Sequence, residues 1–299
     1  MISRSTVLVL GAGASVPYGY PTGRGLLLDV REKMLNPPSM LQGILIQRGI
    51  PLGHPGALAM LLSQSMQPSV DAFLENRPEF MQIGKIAIAL SLIPLERQEK
   101  IEDRGRTMEW YEYLFHQLGP RQEDIEQSRL TVVTFNYDRS FEYFLYNALA
   151  RSFDLTAEQA LALYHRIPVI HVYGDLGTPH FIEGRGRPYN PSLDPASIMS
   201  AADSIQIPSP GSLIEAPFLV AMDAIRKAEI VCFLGFAYHP ANVRRLGMPA
   251  TPGPILTGSA YHLPANEVVR AHRQFPYQIS LGEYAQDCLV FLQDNPVFE

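Results

Sequence analysis

Gly11, Gly13, Ser15, Asn136 and Asp138 are residues whose types and spacing could do chemistry. A Gly-x-Gly step at a strand end, here Gly11-Ala12-Gly13-Ala14-Ser15, allows a tight turn and close backbone approach to a pyrophosphate. The N-terminus of a following helix favours that negative charge, and the Ser15 hydroxyl can donate to a phosphate. Thr134-Phe135-Asn136-Tyr137-Asp138 sets an amide close to a carboxylate. Such groups can orient a polar substrate, stabilise developing charge and position an attacking oxygen. Both motifs also have plain structural readings. Glycine turns after strands are common, and Asn136 and Asp138 could cap a helix starting near Arg139.

For these residues to meet, strands must end beside one another. Apolar runs rich in β-branched residues recur at Thr6 to Leu10, Leu130 to Thr134, Val169 to Val172 and Ile230 to Leu234. Continuous runs of this length suit strands buried on both faces of a parallel sheet. Arg139 to Ala150 carries Phe141, Phe144, Leu145 and Ala148 at helical spacing. The alternation predicts an α/β class: a Rossmann-like, doubly wound parallel sheet with a helical insertion between the first and second core strands.

The chain reads as one domain over residues 1–299, with residues 36–128 as a helical subdomain beginning at Asn36-Pro37-Pro38-Ser39. Within it Phe80 to Ile93 and Thr107 to Leu118 are helical patterns, the latter carrying the only Trp. Gly177 to Gly211, rich in Gly, Pro, Ser and Asn, reads as a long loop or lid over the site.

Composition narrows the function. The 299 residues carry a formal charge of −6 with no run of like charges, so the basic footprint of direct nucleic-acid binding is missing. Cys232 and Cys288 are too few for a zinc module or a disulfide framework, which fits a reducing cytoplasm. No stretch approaches the roughly 20 apolar residues of a membrane span, so no membrane partner is expected. A GxxxxGK[ST] loop, HExxH and GxSxG are all missing. No metal is expected.

The residues around the glycine turn make it more specific. Gly11-Ala12-Gly13-Ala14-Ser15-Val16-Pro17-Tyr18-Gly19-Tyr20-Pro21-Thr22-Gly23-Arg24 resembles the first signature of the sirtuin family, a GAGxS turn followed by a Gly-Ile-Pro-like step and an arginine. Thr22 stands where that family has an acidic residue. Thr134-Phe135-Asn136-Tyr137-Asp138 resembles the family's Thr-x-Asn-x-Asp signature in the form of a bacterial branch. Ser69-Val70-Asp71-Ala72-Phe73-Leu74 and Phe233-Leu234-Gly235-Phe236-Ala237-Tyr238-His239 with Asn242 resemble that branch as well. The likeness runs from roughly residue 5 to residue 245.

The resemblance implies NAD as substrate or ligand. It places Gly11, Ala12, Gly13, Ser15, Pro21, Arg24, Asp138, Gly235, Phe236 and Asn242 around the cofactor, with Gly11, Gly13 and Ser15 on the pyrophosphate and Arg24 ordering the binding loop. Asn136 inherits the orientation of ribose and attacking water, and Asp138 the seating of the nicotinamide carboxamide. Where the family has its basic histidine, Val169-Ile170-His171-Val172-Tyr173-Gly174 places Tyr173. Tyrosine, with an ordinary pKa of about 10, is a poor base at neutral pH, though it can hydrogen-bond a ribose.

His171 would share a strand face with Tyr173, about 6.5 Å away. It either substitutes for the histidine through a water or is a satisfied core residue. His239 is a lower-ranked candidate base. Asp71 and Glu75, four apart on a predicted helix, either hold a carboxylate over the site or form a solvated face.

Without a four-cysteine zinc module the resemblance points away from protein deacylation. It points toward an NAD glycohydrolase that releases nicotinamide and ADP-ribose, of the kind used in antiphage defence and often dependent on a homo-oligomer or an activating protein partner. The alternative is a catalytically impaired sensor of NAD, ADP-ribose or a related nucleotide. A third is a Rossmann-like enzyme that uses another nucleotide.

Overall fold

A computed structural model describes residues 1–103, 107–184, 186–208, 215–248, 253–275 and 277–298. Six strands form one all-parallel sheet: β1 (Thr6–Leu10), β2 (Leu130–Thr134), β3 (Val169–His171), β4 (Ile230–Leu234), β5 (Ile255–Gly258) and β6 (Ile279–Leu281). Their order is β3-β2-β1-β4-β5-β6. β1 and β4 are buried at every position, as continuous apolar strands between helical layers must be. This is the Rossmann-like doubly wound arrangement. The direction of winding reverses between β1 and β4, and the carboxyl ends of those strands are where doubly wound sheets bind their ligands.

Glycines allow the loops at this switch point to meet backbone to backbone. The Gly11 and Gly13 amides donate to the Leu234 and Gly235 carbonyls at 2.9 and 3.0 Å. A Cβ on Gly13 would stand 2.8 Å from the Gly235 Cα, and Gly235 itself has a φ of +57° with a Cβ position that collides with the Ala14 amide. The two loops therefore touch main chain to main chain, which no larger residue permits.

The turn does not run straight into a long α-helix. Ala12–Tyr18 is a 3-10 helix containing Pro17, which has no N–H to add to a ladder, and Gly19 ends it in the left-handed region at φ 93°. The first long helix, Gly23–Leu35, begins later, with the Thr22 hydroxyl accepting from the Gly25 amide. The helix-terminus charge expected beside the turn is correspondingly small.

Between β1 and β2 the described residues are helical. Met81–Leu92 is buried over most of its length, and Trp110–Leu118 lies beneath the glycine turn, with the Trp110 indole donating to the Ala14 carbonyl at 2.8 Å. Pro78–Leu95, 18 residues long, is by length and composition apolar enough to cross a membrane, but 61% of it is buried in this fold, as in the core helix of a globular domain.

The Gly177 to Gly211 reading needs correction. Gly211 lies outside the described residues, but the segment includes the helices His180–Glu183 and Pro195–Ser204. Asp194 caps the second by accepting from the Ser197 amide at 2.9 Å, and Pro195 opens its first turn. That start signal is local and carries no long periodicity.

Candidate functional site

The loops after β1, β2, β3 and β4 converge at the sheet's carboxyl edge. Asn136 joins the first two: its Nδ2 donates to the Gly11 carbonyl at 3.0 Å and to the Ser15 hydroxyl at 2.9 Å. Its backbone amide is held by the Thr134 hydroxyl at 3.0 Å. Asp138 accepts from the Ser140 amide at 3.2 Å and, through a short bond, from the Ser140 hydroxyl, so it turns the chain into the helix Ser140–Ser152. The Ser140 hydroxyl also bonds the Tyr111 hydroxyl at 2.7 Å, a buried link back to the helix beneath the glycine turn. Burial raises the Asp138 carboxyl above its ordinary range, against the hydrogen bonds from Ser140 and Ser15 that favour its charged form.

His171 and Tyr173 serve separate networks. β3 ends at His171, so the alternation that would keep their side chains on one face stops there. The His171 Nδ1 lies 2.9 Å from the Asn136 carbonyl oxygen and its Nε2 2.6 Å from Glu142. Burial works against the imidazolium, but the Glu142 carboxylate outweighs it and raises the His171 pKa to about 9. At neutral pH both ring nitrogens donate, leaving no lone pair to accept a proton. His171 braces the Asn136 loop.

That raised pKa carries a pH signature. Since it exceeds the ordinary value of about 6.5, the stabilisation from His171 is complete below about pH 6.5 and is lost as pH rises through about 9. Urea unfolding across this window should show a decline in stability that is shallower in His171→Gln. Equal slopes would contradict the ion pair with Glu142.

Tyr173 is buried among Phe135, Tyr137 and Phe218. Its hydroxyl donates to the Asn242 Oδ1 at 3.0 Å and accepts from Arg245 at 2.6 Å. Burial pushes its pKa up, so the phenol stays protonated at neutral pH. Phe236 packs edge-on against Phe135 with centroids 5.1 Å apart, closing the space between the β2 and β4 loops.

Asp71 and Glu75, on the helix Val70–Glu75, both reach these loops. The Tyr137 hydroxyl makes a short bond to Asp71, whose carboxyl burial raises above its ordinary range. Glu75 pairs with Arg245, whose Nη1 donates to Oε1 at 2.7 Å and Nη2 to Oε2 at 2.9 Å. His239, at the start of the helix Pro240–Arg245, is half-buried, and burial followed by the Arg270 charge lowers its pKa. Arg24 is exposed in the first turn of Gly23–Leu35, and Pro21 and Ala12 are half-buried.

Glu142, Arg245 and the buried trio Glu96, Arg139 and Arg187 stand out only in three dimensions. Arg139 donates to Glu96 through Nε at 3.0 Å and Nη2 at 2.8 Å, and Arg187 pairs with the same carboxylate. The trio ties the helical interval to the loop after β3. Among the described residues no three His, Cys, Asp or Glu side chains stand where they could hold a metal ion.

Compared with known proteins, the chain matches no family model and no curated sequence.

Proposed function

We propose that the chain is a sirtuin-like NAD+ glycohydrolase whose dinucleotide lies across the crevice between the β1 and β4 loops. The supporting observation is Asn136: one amide links the glycine turn to the second motif, so the groups suited to diphosphate and to ribose share one site. In the reaction the bond from C1′ to the nicotinamide nitrogen breaks, nicotinamide leaves with the electron pair, and a water oxygen bonds to C1′ and releases a proton. An oxocarbenium-like state asks for fixed negative charge and a positioned water more than for a strong base. Asp71 and Asp138 bring carboxyl groups to these loops.

A sensor of NAD or ADP-ribose is the second reading, favoured by the protonated Tyr173 and by His171, whose nitrogens both donate. Two free buried cysteines fit a reducing cytoplasm as the place of action. A role in antiphage defence, with assembly into a homo-oligomer or an activating partner, belongs to the same proposal. Incubating the purified chain with NAD+ and quantifying nicotinamide separates the readings. Release of nicotinamide and ADP-ribose in equal amounts supports hydrolysis; tight binding without release supports the sensor.

A further inference from the structure

We infer that Arg245 is a phosphate-binding cation of this crevice and that the Glu75 carboxylate occupies its guanidinium until a ligand phosphate takes that place. The ligand class is a diphosphate ester such as a nucleoside diphosphate; calling it a dinucleotide rests on the function proposed above.

The need for a cation follows from the glycine turn. The N–H groups of Gly11, Gly13 and Ala14 already donate to the Leu234, Gly235 and Gly11 carbonyls. The helix that follows is a short 3-10 turn. A diphosphate carries about two negative charges at neutral pH, and desolvating them against acceptor-rich walls is costly without a positive partner. Arg139 and Arg187 cannot serve, because Glu96 and backbone carbonyls hold them: Arg139 Nη1 donates to the Gly177 and Arg187 carbonyl oxygens at 2.8 and 2.9 Å, and Arg187 Nε to the Leu176 carbonyl oxygen at 2.9 Å. Arg24 stands exposed at a helix start.

Arg245 has the right place and shape. Its helix, Pro240–Arg245, follows β4, and its Nη1 bonds the Tyr173 hydroxyl beyond β3, so the guanidinium lies among the loops at the sheet's carboxyl edge. With a side chain only 28% exposed it is largely shielded from water, which strengthens its pairing. Its two terminal nitrogens meet the two oxygens of Glu75 side by side. That planar fork accepts a carboxylate or a phosphate in the same way. Glu75 thus stands where an anionic ligand group would bind.

The exchange disturbs little else. Glu75 is the last residue of Val70–Glu75, whose Val70, Phe73 and Leu74 are buried and whose Ser69 cap accepts from the Ala72 amide at 3.3 Å. The bond from Tyr137 to Asp71 keeps the helix docked. Rotation of one terminal side chain frees Arg245 while the helix stays in place. Glu75 therefore lowers affinity for anions by neutralising the guanidinium.

Calorimetric titration of inorganic pyrophosphate and of ADP-ribose into the full chain tests this. Glu75→Gln should bind both about tenfold more tightly, the size expected when one charged competitor is removed. Arg245→Ala should bind both at least about tenfold more weakly, with Arg245→Lys between it and wild type; melting temperatures show which variants remain folded. Unchanged or weaker binding in Glu75→Gln, or wild-type binding in a folded Arg245→Ala, overturns the inference. If pyrophosphate follows the expected order while NAD+ neither binds nor is cleaved, the phosphate site stands and the dinucleotide reading falls. If NAD+ is bound and cleaved as in wild type by Arg245→Ala, the reverse holds.

Discussion

Asn136→Ala is expected to lower nicotinamide release from NAD+ by at least about a hundredfold, the usual scale for losing a group that positions reactants and stabilises developing charge. The same change removes two hydrogen bonds, to the Gly11 carbonyl and the Ser15 hydroxyl. Each is worth on the order of 1 kcal/mol net, so stability should fall by only about 2 kcal/mol. Activity and stability therefore separate. A folded Asn136→Ala protein that retains wild-type turnover would place the chemistry elsewhere; one that loses turnover only through unfolding would reduce Asn136 to a fastening of the glycine turn. Circular dichroism beside the assay distinguishes these outcomes.

Glu96→Ala should have the largest effect on the fold. Its carboxylate is fully buried between Arg139 and Arg187, themselves almost wholly buried. Removing it leaves two guanidiniums without a counter-charge in a low-dielectric setting, a loss on the order of 3–5 kcal/mol. For a domain of this size the melting temperature would drop on the order of 10 °C. Arg139 directly follows Asp138, so ligand binding should weaken as well. A loss below about 1 kcal/mol in urea unfolding would show that the carbonyls around Arg139 suffice to hold its charge.

The strands that build the site were legible because burial on both faces writes itself as unbroken apolar sequence. β1, β2 and β4 occupy the same residues as the predicted runs. β5, Ile255-Leu256-Thr257-Gly258, and β6, Ile279-Ser280-Leu281, escaped notice because four- and three-residue strands with polar or glycine positions show no period. Asp71 and Glu75 could be singled out from their helical spacing, and the fold brings both to the site loops. Glu142 and Arg245 could not: His171 finds Glu142 29 residues earlier, and Arg245 finds Glu75 170 residues earlier. No local pattern records such partners. The fate of His171 turned on where β3 stops, and strand ends are set by tertiary contacts more than by residue type.

A crystal structure of the chain with ADP-ribose tests the central claim most directly. The diphosphate should lie between the Gly11 to Ser15 turn and Arg245, with Glu75 turned away and the ribose that bore nicotinamide within about 3 Å of Asn136 or of a water it holds. ADP-ribose bound away from the carboxyl ends of β1 and β4, or with Asn136 still fastened to Gly11 and Ser15 and out of reach of the ribose, would contradict it.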